Sequence, residues 1–214
     1  MDFHPAERSS TYLCNELKFT TQGKLPTPSD WENCVPLNLV DTVSGLPPLQ
    51  STEVRLGWSK DYLHIRFTCQ DPYFVSNFTE RDQPLYEEDV VEIFIDEKGD
   101  GRSYMEIEIS PNNVIFDALI QNDDGQGSKL KVDVTWHLEG LQTEVEADNH
   151  GNRVYCIHIP SDNFNSPLTS GLCWRVNMYR IDENEQGKRE YQAWQPTGAI
   201  NFHVPSKFGL LRFA

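Results

Sequence analysis

The stretch from Arg81 to Asp96, RDQPLYEEDVVEIFID, constrains the fold more than any other. Its first half, Arg81 to Glu88, is acidic, is broken by Pro84, and reads as a loop. Its second half alternates. Val91, Ile93 and Ile95 fall on one face, and Val90, Glu92, Phe94 and Asp96 on the other. A period of two marks a β-strand, and apolar residues on both faces predict a strand that is covered on both sides. Glu92 sits between Val90 and Phe94, where a carboxylate is costly unless it is paired, solvated or bound to something. A solvated sheet face and a binding site both fit that position.

The same alternation recurs along the chain. Thr52–Trp58 and Tyr62–Gln70 flank a polar turn at Lys60-Asp61 and predict a hairpin. Further strands are expected at Ser103–Ser110, Val114–Ile120, Asn152–Pro160, Cys173–Asp182, Glu190–Trp194 and Phe208–Phe213. Val132–Leu138 and Thr143–Ala147 are expected to pair with each other, and Ser161–Gly171 to hold one helical turn. The expectation is an all-β fold: an antiparallel, immunoglobulin-like or jelly-roll-like sandwich of about ten strands. Residues 1–51 are rich in proline and read as a docked N-terminal extension with one edge strand. Trp31 and the run Val35–Val40 would pin it to a core spanning 52–214, the whole forming one domain.

Composition narrows the partners. The 214 residues carry a formal charge of −15, and such a surface repels phosphate backbones, which excludes nucleic acid and anionic membranes as expected partners. The five cysteines, Cys14, Cys34, Cys69, Cys156 and Cys173, are odd in number and share no CxxC spacing, so neither a zinc site nor a disulfide framework is expected. MDFHPAERSS lacks a basic start followed by an apolar run. That places the chain in the cytoplasm, or outside the cell if a signal was trimmed.

Three strands bring polar groups to mid-sheet: Glu92, then Glu106 and Glu108, then Asn177 and Tyr179. Such a patch in an apolar sheet can line a concave small-molecule site. Paired carboxylates also suit glycoside hydrolysis, although no motif marks any pair here. The turn Asp96–Gly101 could hold a structural Ca²⁺ through Asp96 and Asp100.

VRLGWSKDYLHIRF with the following Asp71-Pro72, RDQPLYEEDVVEIFID, YMEIEISPNNVIFD, the IHIP strand end, WRVNMYRID and AWQPTGAINFHVPSKFG occur in an order that resembles the family 9 carbohydrate-binding modules, within the DOMON-like sandwiches. The resemblance spans Thr52 to the C-terminus. It implies a sugar held between two aromatic rings, matched here by Tyr86 and Phe202, with Glu92 as the central-strand carboxylate and an amide near Asn177 and Tyr179. Both ring positions are typically Trp in the sugar binders, and Glu108 stands where those carry a basic residue. On this reading Arg180 adds a hydrogen bond, Trp194 walls the pocket, and the chain is a non-catalytic binder of mono- or oligosaccharides. The resemblance also raises a haem-binding alternative, with Met105 and Met178 as the in-strand methionines, beside a glycoside-acting enzyme and a plain interaction module.

Overall fold

A computed structural model of the chain describes residues 10–19 and 23–214. In chain order the strands are β1 (Thr11–Glu16), β2 (Leu37–Asn38), β3 (Val40–Asp41), β4 (Thr52–Trp58), β5 (Tyr62–Gln70), β6 (Val90–Asp96) and β7 (Ser103–Ile109). They continue as β8 (Ile115–Asn122), β9 (Leu130–Asp133), β10 (Gln142–Ala147), β11 (Asn152–Pro160), β12 (Cys173–Glu183), β13 (Arg189–Ala193) and β14 (Gly209–Phe213). The only helical pieces among the described residues are short 3-10 turns, including Leu85–Glu87 before β6 and Ser161–Asn163 after β11.

Hydrogen bonding runs continuously through β10-β11-β5-β4-β1-β14-β12-β6-β7-β8-β9, with β13 beside β12 and β2 beside β4. The first four strands form one layer and β14 to β9 the other. β1 joins them: Thr11–Cys14 run parallel to Leu210–Phe213, and Asn15 and Glu16 run parallel to Gly57 and Trp58. The expected all-β sandwich is present, but it is mixed rather than purely antiparallel, and the described residues form fourteen strands rather than about ten. The parallel pairs arise because β1 bridges two layers instead of returning through a hairpin. β1 is thus an interior strand paired on both sides, while β2, in the Val35–Val40 run, pairs with β4 alone. The TYLCNE pattern of β1 buries Tyr12 and Cys14 in the core.

The main core lies between the layers. Val54, Leu56, Ile65, Phe67 and Ile157 of one layer meet Val91, Ile93, Ile107, Val176 and Met178 of the other. A second cluster covers the outer face of the β6 layer: Leu85, Val90, Phe94, Tyr104, Phe116, Tyr179, Phe202 and Phe208. This is why every residue of β6 is buried, as its two-faced pattern predicts. The expected pairing of Val132–Leu138 with Thr143–Ala147 does not form. β9 ends at Asp133 and pairs with β8, while β10 pairs with β11. Beyond β9 the chain folds back, and the Leu138 N–H donates to the buried Asp117 at 2.7 Å. Pro111-Asn112-Asn113 makes its turn with Asn113 at a φ of 60°, a conformation asparagine tolerates well.

Candidate functional site

One row of side chains on the outer face of the β6 layer builds the floor of a cleft. Tyr179 of β12 lies opposite Glu92 of β6, Glu92 opposite Glu108 of β7, and Glu108 opposite Phe116 of β8. In the next row Glu106 lies opposite Phe94. Oxygens of Glu92, Glu106 and Glu108 all come within 4.8 Å of one another. The three residues are 2%, 6% and 1% exposed. Like charges facing each other across a sheet are destabilising, and burial compounds the cost.

The carboxyl groups respond by holding their protons. Burial raises the Glu106 pKa to about 8. Burial and then the neighbouring Glu106 push Glu92 well above the usual carboxylate range. Burial, then Glu92 and Glu106, do the same for Glu108. The Tyr86 backbone N–H lies near Glu108 and opposes this shift without reaching hydrogen-bond geometry. Glu92 Oε1 and both oxygens of Glu108 have no hydrogen-bond partner.

Above this floor opens a cleft of about 690 Å³. Tyr86, on the 3-10 turn before β6, forms one side and is 50% exposed. Phe202, Asn201 and His203, in the segment before β14, form the other. Ile181 and Tyr191 continue the apolar wall, and Val132, Val134 and Ile200 form an exposed apolar rim. A concave site walled by rings and aliphatic groups, with a few polar atoms at its base, is the usual design of a small-molecule site.

The segment carrying Phe202 is held by residues the sequence had placed in the site itself. Asn177 Nδ2 donates to the Gln195 carbonyl and Asn177 Oδ1 accepts from the Gln195 N–H, both at 2.9 Å. Asn177 Nδ2 also donates to the Tyr179 hydroxyl at 2.8 Å, and that hydroxyl donates to the Phe202 carbonyl at 2.9 Å. The Tyr179 and Phe202 rings stack at 4.1 Å and 11°. Asn177 and Tyr179 are wholly buried and do not line the cleft, so they position Phe202 from beneath. His203 is fixed in the same way. Asn122 Nδ2 donates to the Tyr104 hydroxyl at 3.2 Å, and that hydroxyl faces His203 Nδ1 at 2.9 Å. The other ring nitrogen, Nε2, lies 3.8 Å from Glu106. Burial lowers the His203 pKa to about 4, so the imidazole is neutral beside it.

Two expected site residues lie elsewhere. Arg180 is opposite Val91 and shares its face, toward the other layer. There it pairs with Asp182, lies 3.4 Å from Asp71, and donates to the Gln70 carbonyl at 2.9 Å. A buried guanidinium needs that many acceptors, and it finds them on this face with Asp182, Asp71 and the Gln70 carbonyl. Trp194 is packed in the main core, not the cleft wall. At the suggested calcium turn, Asp96 accepts the N–H groups of Gly99 and Gly101 at 2.7 and 2.8 Å. Asp100 Oδ1 accepts the N–H of Arg102. Among the described residues, the acidic and histidine groups close enough to share one ion do not include Asp96 or Asp100. Met105 and Met178 are both in the main core.

Sequence reasoning did not find Phe116, Ile181, Tyr191 or His203 as site residues. For Ile181 and Tyr191 a signal existed: each keeps the strand parity of Tyr179 or of its partner across β12 and β13. His203 carried none.

Residues 29–214 match the pattern of the carbohydrate family 9 binding domain-like proteins. Solved structures share the fold. A family 9 carbohydrate-binding module from Caldicellulosiruptor kristjanssonii, in complex with cellotriose, superposes with a TM-score of 0.67 at 16% identity, over 95% of this chain and 93% of that one. A structure from Bacteroides uniformis ATCC 8492 superposes with a TM-score of 0.74 at 14% identity, over 97% and 99%. A protein of Arthroderma benhamiae, described as an extracellular protein, is 26% identical over 188 residues, 83% of this chain and 85% of its own length.

Proposed function

The chain belongs to the carbohydrate family 9 binding domain-like family, and from that premise we propose that its cleft binds a mono- or oligosaccharide without altering it chemically. The observation that carries this is a polar floor walled by ring and aliphatic groups in one cleft, with the half-exposed Tyr86 on one side and the largely buried Phe202 on the other. A pyranose presents the complementary surfaces: an apolar C–H face for a ring, and hydroxyl groups for carboxyl oxygens. Covering roughly 80 Å² of ring at about 25 cal/mol/Å² contributes about 2 kcal/mol before ordering costs. The half-exposed Tyr86 ring with a few hydrogen bonds places the dissociation constant in about the millimolar range, tightened where Phe202 adds its remaining exposed surface. The complex of the C. kristjanssonii module with cellotriose supports a saccharide of this kind.

Binding without catalysis fits the floor better than hydrolysis does. Acid and base must approach a glycosidic bond from two sides, whereas Glu92, Glu106 and Glu108 rise from adjacent strands on one face. Burial of Met105 and Met178 between the layers likewise favours the saccharide reading over a haem site. The extracellular description of the A. benhamiae relative supports placing this chain outside the cell rather than in the cytoplasm.

Tyr86→Ala tests the cleft. Its side chain is half exposed, so thermal stability should hold, while affinity for a bound oligosaccharide should fall about tenfold or more. Titration calorimetry over a panel of neutral and charged saccharides reads both the wild type and the variant. Unchanged affinity in the variant would remove Tyr86 from the site, and no heat with any saccharide would remove the function.

A further inference from the structure

Among the described residues, no charged partner is paired with the carboxyl groups on the cleft floor. Glu92, Glu106 and Glu108 converge within 4.8 Å, and three of their oxygens face no hydrogen-bond donor. The neighbouring cations are committed or uncharged. Arg189, on the cleft wall, is paired with Glu183 at 3.0 Å. Arg180 lies on the opposite face of the sheet, with Asp182 and Asp71. His203 is neutral, and Asp82 adds a further acid to the lining. A buried acidic group left unpaired is costly, and a sheet that keeps three together has a place for a cationic partner.

Building on the saccharide reading, we infer that the cleft selects an amino sugar, its protonated amine seated over Glu92, Glu106 and Glu108. An ammonium has three N–H donors, and the triad supplies three carboxyl groups that receive them by giving up protons as the cation enters. Such charge-assisted bonds are about twice as strong as neutral ones and gain further where water is excluded. A divalent ion is the competing cation, but calcium takes six to eight oxygen ligands. Beside the triad the cleft wall adds Asp82 and Asn201 as further oxygen donors, but much of it is Phe116, Ile181, Tyr191 and Phe202, which offer mainly ring faces and methyl groups. That lining suits the carbon skeleton of a sugar attached to the amine. The formal charge of −15 draws such a cation toward the surface.

The test is calorimetric titration of the full chain with glucosamine trimer, its N-acetylated counterpart and cellotriose, in EDTA. The work is done at about pH 6, below the roughly 7.7–8.0 of an α-amino group. The glucosamine trimer should bind at least about tenfold more tightly than either neutral trimer, and that ratio should fall to about threefold or less in Glu108→Gln and in Glu106→Gln. Binding should also release protons held by the triad, making the heat depend on the buffer's ionisation enthalpy. If the neutral trimers bind and the amine gains nothing, this inference fails and the saccharide reading stands. If no trimer binds, both fail. If calcium chloride alone gives a saturable isotherm and the amine preference is absent in EDTA, the triad is a metal site and the inference is overturned.

Discussion

Glu108→Gln is expected to stabilise the protein at pH 8 by roughly 1–3 kcal/mol, the cost of leaving a buried polar group unpaired, and to change little at pH 4. The sign follows from the direction of the shift. Burial raises all three folded pKa values above the ordinary glutamate value, with Glu106 at about 8. Below about 4.5 both folded and unfolded chains hold these protons. As pH rises, the unfolded chain releases them while the folded chain keeps them, so stability falls by up to about 1.4 kcal/mol per pH unit for each group until the folded pKa is passed. A glutamine keeps the shape, cannot ionise, and can donate from its amide to a neighbouring carboxylate. Asp89 and Asp182, raised by burial to about 7 and about 6, tilt the whole protein the same way, so the difference between variant and wild type is the diagnostic quantity. Urea denaturation from pH 4 to 9 reads it. Parallel curves for the two proteins would mean the triad does not titrate abnormally.

Gly209→Ala should cost about 3 kcal/mol or more, lowering Tm by roughly 6–12 °C for a chain of this size. A Cβ at Gly209 would lie 2.4 Å from the ring of Trp194 and 2.9 Å from the Ser10 backbone oxygen. Neither can give way cheaply. Trp194 is buried in the main core, and Ser10 immediately precedes β1, where its carbonyl accepts the Leu210 N–H at 2.7 Å. Gly209 thus lets a ring lie flat on the chain at the point where β1 joins the two layers. A Tm within about 2 °C of wild type would show that this contact relaxes freely.

Much of the architecture was legible because strand periodicity is local. Thr52–Trp58 and Tyr62–Gln70 needed only alternation and a polar turn, and β6 announced its two covered faces through Val90 and Phe94 opposite Val91 and Ile93. β1 was not legible. Six residues with one exposed leucine resemble a loop until two partners, distant in sequence, enclose them. Val132 and Val134 looked like a strand continuing to Leu138, yet their side chains serve the rim of the cleft. In the site, the acidic patch could be read from three strands, because sheet neighbours at equal parity share a face. The same rule placed Arg180 with Trp174, Val176 and Met178, facing the other layer, which the expectation of a sugar-binding arginine overrode. Asn177 and Tyr179 were on the right face but beneath a segment whose position only the tertiary fold decides.

The most direct test of a saccharide site in the cleft is mapping of backbone amide chemical shifts during titration with the tightest-binding saccharide of the panel. The cleft holds no tryptophan, so intrinsic fluorescence would report on it poorly. The largest shifts are expected at Tyr86, Asn201, Phe202 and His203, with smaller ones at Glu92 and Glu108 on the floor. Shifts gathered on the face formed by β10 and β11, or scattered without a cluster at saturating saccharide, would contradict the account.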